Sequence, residues 1–129
     1  MSTEENKELV RRFFDEPWNH GNFDVYDEML APSLDIGSEK EWARSMYATF
    51  GTMQFTIFDI IAEGDQVAVH WRVDAIHQGD YLGVAATGKP VSYQGIAWLR
   101  IADGKIVEDT GYWDNLSILQ QLGAAPTSG

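Results

Sequence analysis

Residues 70–79 form a strand-like stretch that places three polar side chains at alternate positions. Because side chains alternate faces along a strand, His70, Arg72 and Asp74 share one face. An aspartate can act as a general acid or base, a neighbouring arginine can orient it and stabilise its charge, and a histidine can carry a proton near neutral pH. If this face lines a pocket, we expect Asp74, Arg72 and His70 to be catalytic. The alternative is that Arg72 and Asp74 form a structural ion pair.

The hydrophobic periodicity predicts which elements must position these residues. Helical spacing of apolar residues, with Ser, Glu, Pro and Gly signals at the ends, predicts three N-terminal helices and one short C-terminal helix. Between them the period changes to two, which indicates four hairpin-connected strands. The predicted helices cover residues 2–17, 23–32, 38–50 and 115–123, and the predicted strands cover 53–63, 66–78, 91–101 and 106–113. Helices followed by an antiparallel meander predict an α+β fold with helices packed on one face of a curved sheet.

The composition bounds the class of protein. A chain of 129 residues is expected to be a single domain, here with residues 124–129 as a flexible tail. Nine basic and twenty acidic residues give a net charge of −11, which argues against nucleic-acid binding and against anionic membrane surfaces. The sequence has no cysteine, and we see neither a signal-peptide core nor an apolar run of membrane-spanning length. We expect a cytoplasmic protein.

Metal and cofactor motifs are not evident in the sequence. The three histidines fall on separate predicted elements and show no metal-ligand spacing with Asp or Glu. We see no Gly-rich phosphate loop and no Gly-x-Ser-x-Gly elbow. We therefore expect neither a metal nor a cofactor.

The stretches "GDYLGVAATGKPV" and "LRIADGKIVEDTGYWDNLSILQQLG" resemble the SnoaL-like polyketide cyclase family, which belongs to the nuclear transport factor 2-like superfamily. The resemblance is most specific from Asp65 to Gly123. It implies a cone in which a bent antiparallel sheet wraps around the helices and encloses an apolar pocket. It also implies a homodimer formed through the outer face of the sheet.

The cone also implies an orientation for the second strand. If His70, Arg72 and Asp74 point into the cone, the apolar side chains between them point outward. These outward residues, which would then form the dimer surface, are Val67, Val69, Trp71 and Val73.

The family's acid/base pair is absent at its expected positions. Counting from the "DGKI" turn, the aspartate position on the last strand falls on Gly111 and the histidine position falls on Ala97. The "RVD" at residues 72–74 is similar to the Arg-x-Asp pair of limonene epoxide hydrolase in the same superfamily, whose second aspartate also corresponds to Gly111. Asp109 lies on the same strand face as Gly111, displaced by roughly 6 to 7 Å.

The resemblance and the aromatic content together suggest a ligand site. Gly95, Ala97 and Gly111 are small and would leave volume for a ligand, and aromatic residues make up 12% of the chain. The residues that we expect to bind substrate are Trp18, Tyr47, Ala97, Asp109, Gly111 and Trp113.

These features support two functional hypotheses. The first is a cofactor-independent SnoaL-like enzyme that acts on a small apolar molecule, polyketide-like or terpenoid-like, by carboxylate acid/base catalysis. Cyclisation, isomerisation and epoxide opening are all compatible with it. The second is a non-catalytic small-molecule-binding or dimerisation module of the same fold.

Overall fold

A computed structural model describes residues 2–126 of the chain, and it contains four helices and four strands. The helices are α1 (Thr3–His20), α2 (Val25–Met29), α3 (Ile36–Thr49) and α4 (Asn115–Gln121), and the strands are β1 (Phe50–Glu63), β2 (Gln66–His77), β3 (Pro90–Ala102) and β4 (Lys105–Trp113). The strands form one curved, unclosed antiparallel sheet in the order β1-β2-β3-β4. The predicted α+β fold is confirmed. Of the predicted flexible tail, residues 127–129 lie outside the described residues.

Side-chain caps define the starts of α1, α3 and α4, but several helix bounds differ from the sequence prediction; α2, predicted over residues 23–32, covers only Val25–Met29 and has no side-chain cap. The Ser2–Glu5 capping box is present. However, α1 does not stop near Pro17 but continues to His20, where Gly21 ends it with a φ of 70° and donates to the Pro17 carbonyl. Pro17 therefore lies inside the last turns of the helix, where its side chain is buried in the core.

The third helix also begins earlier than expected. The sequence predicts a helix over residues 38–50, but α3 starts at Ile36 and its N-cap is Asp35. The Asp35 side chain accepts a hydrogen bond from the Ser38 backbone N–H over 3.1 Å. The fourth helix is capped as expected, since Asp114 accepts from the Ser117 N–H over 2.9 Å.

The inner face of β2 is apolar, and this contradicts the orientation expected from the resemblance. The side chains of Val67, Val69, Trp71 and Val73 are 0–7% exposed and belong to the core. Phe55 of β1 lies between Trp71 and Phe14 of α1, with ring centroids 5.3 Å and 5.1 Å apart. Burying such a stripe stabilises the fold by about 1.5–3 kcal/mol per large side chain, so the apolar face turns toward the helices. The polar face of β2 is therefore convex and partly exposed.

Helix α3 covers the sheet incompletely. Ala43 is its buried residue, whereas α1 buries six side chains. A space therefore remains between α3 and the inner face of the sheet.

Within residues 2–126, no helix combines the length and apolar character needed to cross a membrane.

The glycines on the inner face differ in what surrounds them. A Cβ on Gly95 would overlap the Trp71 indole and approach the Tyr112 carbonyl oxygen to 2.5 Å. The expectation that Gly95 leaves volume for a ligand is wrong, because Trp71 fills that volume. At Gly111, by contrast, the nearest atom to a Cβ would be Trp113 Cζ3 at 3.9 Å.

We therefore expect Gly95→Ala to destabilise the protein by about 1–3 kcal/mol, the usual cost of overpacking a core. Gly111→Ala is the matched control, and it should change the free energy of unfolding little because its methyl group enters open space. Urea denaturation followed by tryptophan fluorescence measures both. Equal stabilities of the two variants would contradict this account of Trp71 packing.

Candidate active site

The space under α3 is a pocket of about 380 Å³. It lies between the N-terminal helices and the inner face of the sheet, and its volume is in the range of small-molecule sites. More than half of its lining residues are aromatic; they are Phe13, Phe14, Trp18, Tyr26, Trp42, Phe55, Trp71, Tyr93 and Trp113. Such a wall suits a flat, largely apolar ligand.

The carboxyl of Asp109 on β4 is one of the two carboxyl groups that line this pocket. Strand alternation places Asp109, Gly111 and Trp113 on the inner face, and all three line the pocket. Asp109 keeps an exposed surface, and the protein atoms around the pocket nonetheless desolvate its carboxyl. Desolvation, together with the charge of Glu39, raises the pKa of Asp109 to about 6.

Glu39 is the second carboxylate of the pocket. It lies in the first turn of α3 and lines the pocket with Trp42, three residues later. The buried Tyr26 of α2 is near both carboxylates: desolvation, the charge of Asp109 and the charge of Glu39 all raise the pKa of its hydroxyl. Tyr26 thus stays a neutral phenol beside the two acids.

Neither acid has a partner within the described residues. The side chains of Asp109 and Glu39 take part in none of the hydrogen bonds or ion pairs formed between residues 2 and 126. Among the residues that the structure describes, no Lys, Arg or His lines the pocket. The pocket therefore combines an apolar wall with two carboxylates whose hydrogen-bonding capacity is free for a ligand.

A hydrogen-bond network fixes Trp113 beside these carboxylates. Its Nε1–H donates to Asn115 Oδ1 over 2.9 Å and lies 3.2 Å from the Tyr81 hydroxyl, which itself hydrogen-bonds Asn115. Tyr81 belongs to the loop after β2. That loop is anchored by the fully buried His77, whose Nδ1 accepts from the Thr87 N–H over 3.2 Å.

Most of the expected substrate-binding residues do line the pocket, and one does not. The residues found there are Trp18, Ala97, Asp109, Gly111 and Trp113. Tyr47 is not among them: its ring packs on Phe23 with centroids 5.4 Å apart. The next residue along a helix is rotated by about 100°, so Tyr47 cannot share the direction of Met46, which does line the pocket.

The three expected catalytic residues lie outside the pocket. Arg72 and Asp74 form a partly exposed ion pair on the convex face, with Nη2 and Oδ1 2.9 Å apart. This hydrogen bond and charge raise the pKa of Arg72. His70 lies beside them, with Nε2 3.0 Å from Gln94 Oε1 and Nδ1 3.6 Å from an Asp59 oxygen. The inward orientation expected for all three is wrong, and the ion-pair alternative describes their geometry.

Sequence reasoning missed Glu39. A signal for Glu39 was available, because Glu39, Trp42 and Met46 fall at i, i+3 and i+7 and so share a helix face. Within residues 2–126, no group of three His, Cys, Asp or Glu side chains could hold a metal ion.

Comparison with known proteins places this fold and pocket in one class, the SnoaL-like proteins with a curved sheet over helices. The sequence model of the SnoaL-like polyketide cyclase family matches residues 8–122, so the chain belongs to that family. No curated protein sequence matches it significantly.

Three solved structures illustrate the likeness. AclR from Streptomyces galilaeus, for which a hydroxylase activity has been suggested, is 27% identical with a TM-score of 0.90, over 99% of this chain and 91% of AclR. A proposed SnoaL-like polyketide cyclase from Jannaschia sp. CCS1 is 26% identical with a TM-score of 0.85, over 96% and 95%. A proposed polyketide cyclase from Acidithiobacillus ferrooxidans is 28% identical with a TM-score of 0.83, over 97% and 100%.

The electrostatics of the pocket predict how Asp109 titrates. We expect its carboxyl to titrate near pH 6 in the native protein. Glu39→Gln removes one negative charge and should lower this pKa, although desolvation keeps it above the ordinary value of 3.8. Tyr26, the other titratable group facing Asp109, stays neutral throughout this range. The measurement is nuclear magnetic resonance of the Asp109 side-chain carboxyl carbon as a function of pH.

Glu41→Gln is the matched control, since Glu41 is an exposed residue of the same helix that does not line the pocket. It should leave the titration of Asp109 unchanged. A native Asp109 that titrates near 3.8 would contradict the desolvated setting described above.

Proposed function

We propose that this protein is a cofactor-independent enzyme that acts on a small, largely apolar, polyketide-like or terpenoid-like molecule, with Asp109 as its acid/base group. The observation that carries this proposal is the unpartnered carboxyl of Asp109 in an aromatic pocket of about 380 Å³. Perturbed carboxyls in clefts are typical of catalytic sites.

A pKa of about 6 suits a group that accepts and returns protons near neutral pH. At pH 7 the carboxylate of Asp109 is largely ionised and can accept a proton from a substrate carbon or from water. The protonated form can then donate to the oxygen on which negative charge develops. Cyclisation, isomerisation and epoxide opening each need such a transfer, and membership of the family favours cyclisation.

The aromatic walls complete this mechanism by orienting the substrate. Trp113, held by Asn115 and Tyr81, provides a fixed surface on which a planar ligand can stack. Gly111 leaves open space next to Asp109. A substrate in that space would present its reacting atoms to the carboxylate and would exclude water from it.

The alternative is a binding module without turnover. It is favoured by Gly111 and Ala97, which stand where the resemblance places the family's acid/base aspartate and histidine. It predicts that ligands occupy the pocket but leave it chemically unchanged.

The outer face of the sheet supports a further proposal, a homodimer. The side chains of Ile96, Trp98 and Tyr112 on β3 and β4 are 52%, 47% and 74% exposed, and Ile96 pairs with Tyr112. Adjacent exposed apolar side chains of this size are typical of interaction surfaces. The dimer surface proposed here consists of these residues. It replaces the surface expected from the resemblance, whose residues Val67, Val69, Trp71 and Val73 are buried.

The cytoplasmic location expected from the sequence stays a prediction.

The catalytic proposal predicts that Asp109→Asn lowers turnover by roughly 10²- to 10⁴-fold. The assay follows polyketide esters with one ring open, and monoterpene epoxides, by liquid chromatography and mass spectrometry. The melting temperature at pH 7.5 should not fall, because above pH 6 the substitution removes a desolvated charge whose ionised form costs stability.

Asp74→Asn is the comparison variant, because it removes the carboxylate that the sequence alone favoured. It should retain turnover, since Asp74 lies on the convex face. Full activity of Asp109→Asn together with an inactive Asp74→Asn would overturn the assignment to Asp109.

The homodimer proposal predicts that Trp98→Lys yields a monomer where the native protein is a dimer, because a lysine within the patch would lose its hydration on association. Sedimentation velocity measures the mass. Leu82→Lys, at an exposed loop position, is the control and should leave the dimer intact. A native protein that sediments as a monomer at about 100 μM would contradict the proposal, because even a weakly associating dimer should be populated at that concentration.

A further inference from the structure

We propose that the pocket selects a ligand whose apolar body carries a positively charged amine, and that Glu39 is the residue that determines this specificity. The inference rests on the proposed function only for the location of the ligand site, and it narrows the class of molecule that enters. It is carried by the charges of the lining residues and by the arrangement of three tryptophans.

The charge of the pocket lining has one sign. Glu39 and Asp109 are its ionisable acids, and no Lys, Arg or His lines it. Neither carboxylate has a hydrogen-bond or ion-pair partner within residues 2–126, whereas the surface acids Glu16, Glu28 and Asp65 are paired with arginines. Two uncompensated carboxylates that line one pocket and are accessible to a ligand give it a negative field that attracts a cation.

Three indoles meet at the edge of the pocket beside Glu39. Trp42 contacts Trp18 with ring centroids 6.2 Å apart and planes at 84°, and it contacts Trp113 with centroids 6.0 Å apart. Glu39 precedes Trp42 by three residues, so both project from the same face of α3. Tryptophan faces are the best aromatic partners for ammonium groups. A carboxylate next to several indoles is therefore suited to a protonated or quaternary amine.

The beginning of α3 does not offer a competing site for an anion. A helix N-terminus favours negative charge, but here two side chains of the protein already supply it. Asp35 accepts from the Ser38 N–H, and Glu39 occupies the first turn. A carboxylate, sulfonate or phosphate on the ligand would face Glu39 and Asp109 without any cation in the lining to balance it. We therefore expect anionic ligands to be rejected.

A matched set of probes tests the charge preference. The cation is [4-(hydroxymethyl)phenyl]trimethylammonium, its neutral isostere is 4-tert-butylbenzyl alcohol, and the anion is 4-(hydroxymethyl)benzenesulfonate. Affinities are measured at pH 7.5 by isothermal titration calorimetry with the full chain. The cation should bind about tenfold more tightly than the neutral alcohol, the size expected for a desolvated cation–π contact, and the sulfonate should bind more weakly than both.

The variant Glu39→Gln tests whether Glu39 determines the preference for a cationic ligand. It should weaken binding of the cation by about fivefold or more and leave binding of the neutral alcohol unchanged, while Glu41→Gln on the exposed face of the same helix should change neither. Circular dichroism verifies that both variants fold.

Three results would overturn the proposal: a neutral alcohol that binds as tightly as the cation, a sulfonate that binds as well as either, or a cation that shows no binding. Equal effects of the two glutamine variants would exclude Glu39 as the determinant. These readouts are affinities and do not depend on turnover. Failure of the charge preference is therefore distinguishable from failure of catalysis by Asp109.

Discussion

The packing of the inner face of β2 against α1 is the interaction on which the rest of the structure depends. Trp71 lies between the Phe55 ring and the backbone at Gly95, and Phe14 continues the stack into the helix layer. This contact decides which face of the sheet is concave and where each alternate side chain of the neighbouring strands points. Once β2 is turned this way, strand pairing places Ala97 of β3 and Gly111 of β4 opposite each other on the inner face.

The pocket is a consequence of the same packing. Helix α1 covers one part of the concave face, and α3, with Ala43 as its buried residue, covers the remainder incompletely. Trp42 and Met46 of α3 therefore border a space instead of filling it. Protein interiors are normally close-packed, so a space of this size lined by large side chains indicates a binding site.

The carboxyl of Asp109 is costly in that setting, and its position is informative for this reason. A desolvated, ionised carboxylate with no partner destabilises a fold, whereas Glu16, Glu28 and Asp65 are solvated and paired with arginines. The pKa of Asp109 is raised for the same reason, because desolvation favours the protonated form of the carboxyl. The same property is what acid/base catalysis needs, and together with Glu39 it gives the pocket a negative field. The two proposals thus draw on one physical feature, an acidic pair in an aromatic pocket.

The sequence by itself determined the elements and the family of this protein. Capping at Ser2 and Asp114, and the change of period after α3, are local signals that do not depend on the rest of the chain. They were enough to predict an α+β fold. The family resemblance and the aromatic content added a pocket wall that includes Trp18, Asp109 and Trp113.

Tertiary structure alone decided which face of β2 points inward. Alternation shows that His70, Arg72 and Asp74 share a face opposite to Trp71, but it is symmetrical between the two sides of a sheet. Because the apolar face of β2 packs against α1, the face that carries Asp74 points away from the pocket. The candidate catalytic residue is therefore Asp109 and not Asp74. Glu39 joins that site because α3 folds back over the sheet, a long-range contact that no local pattern specifies.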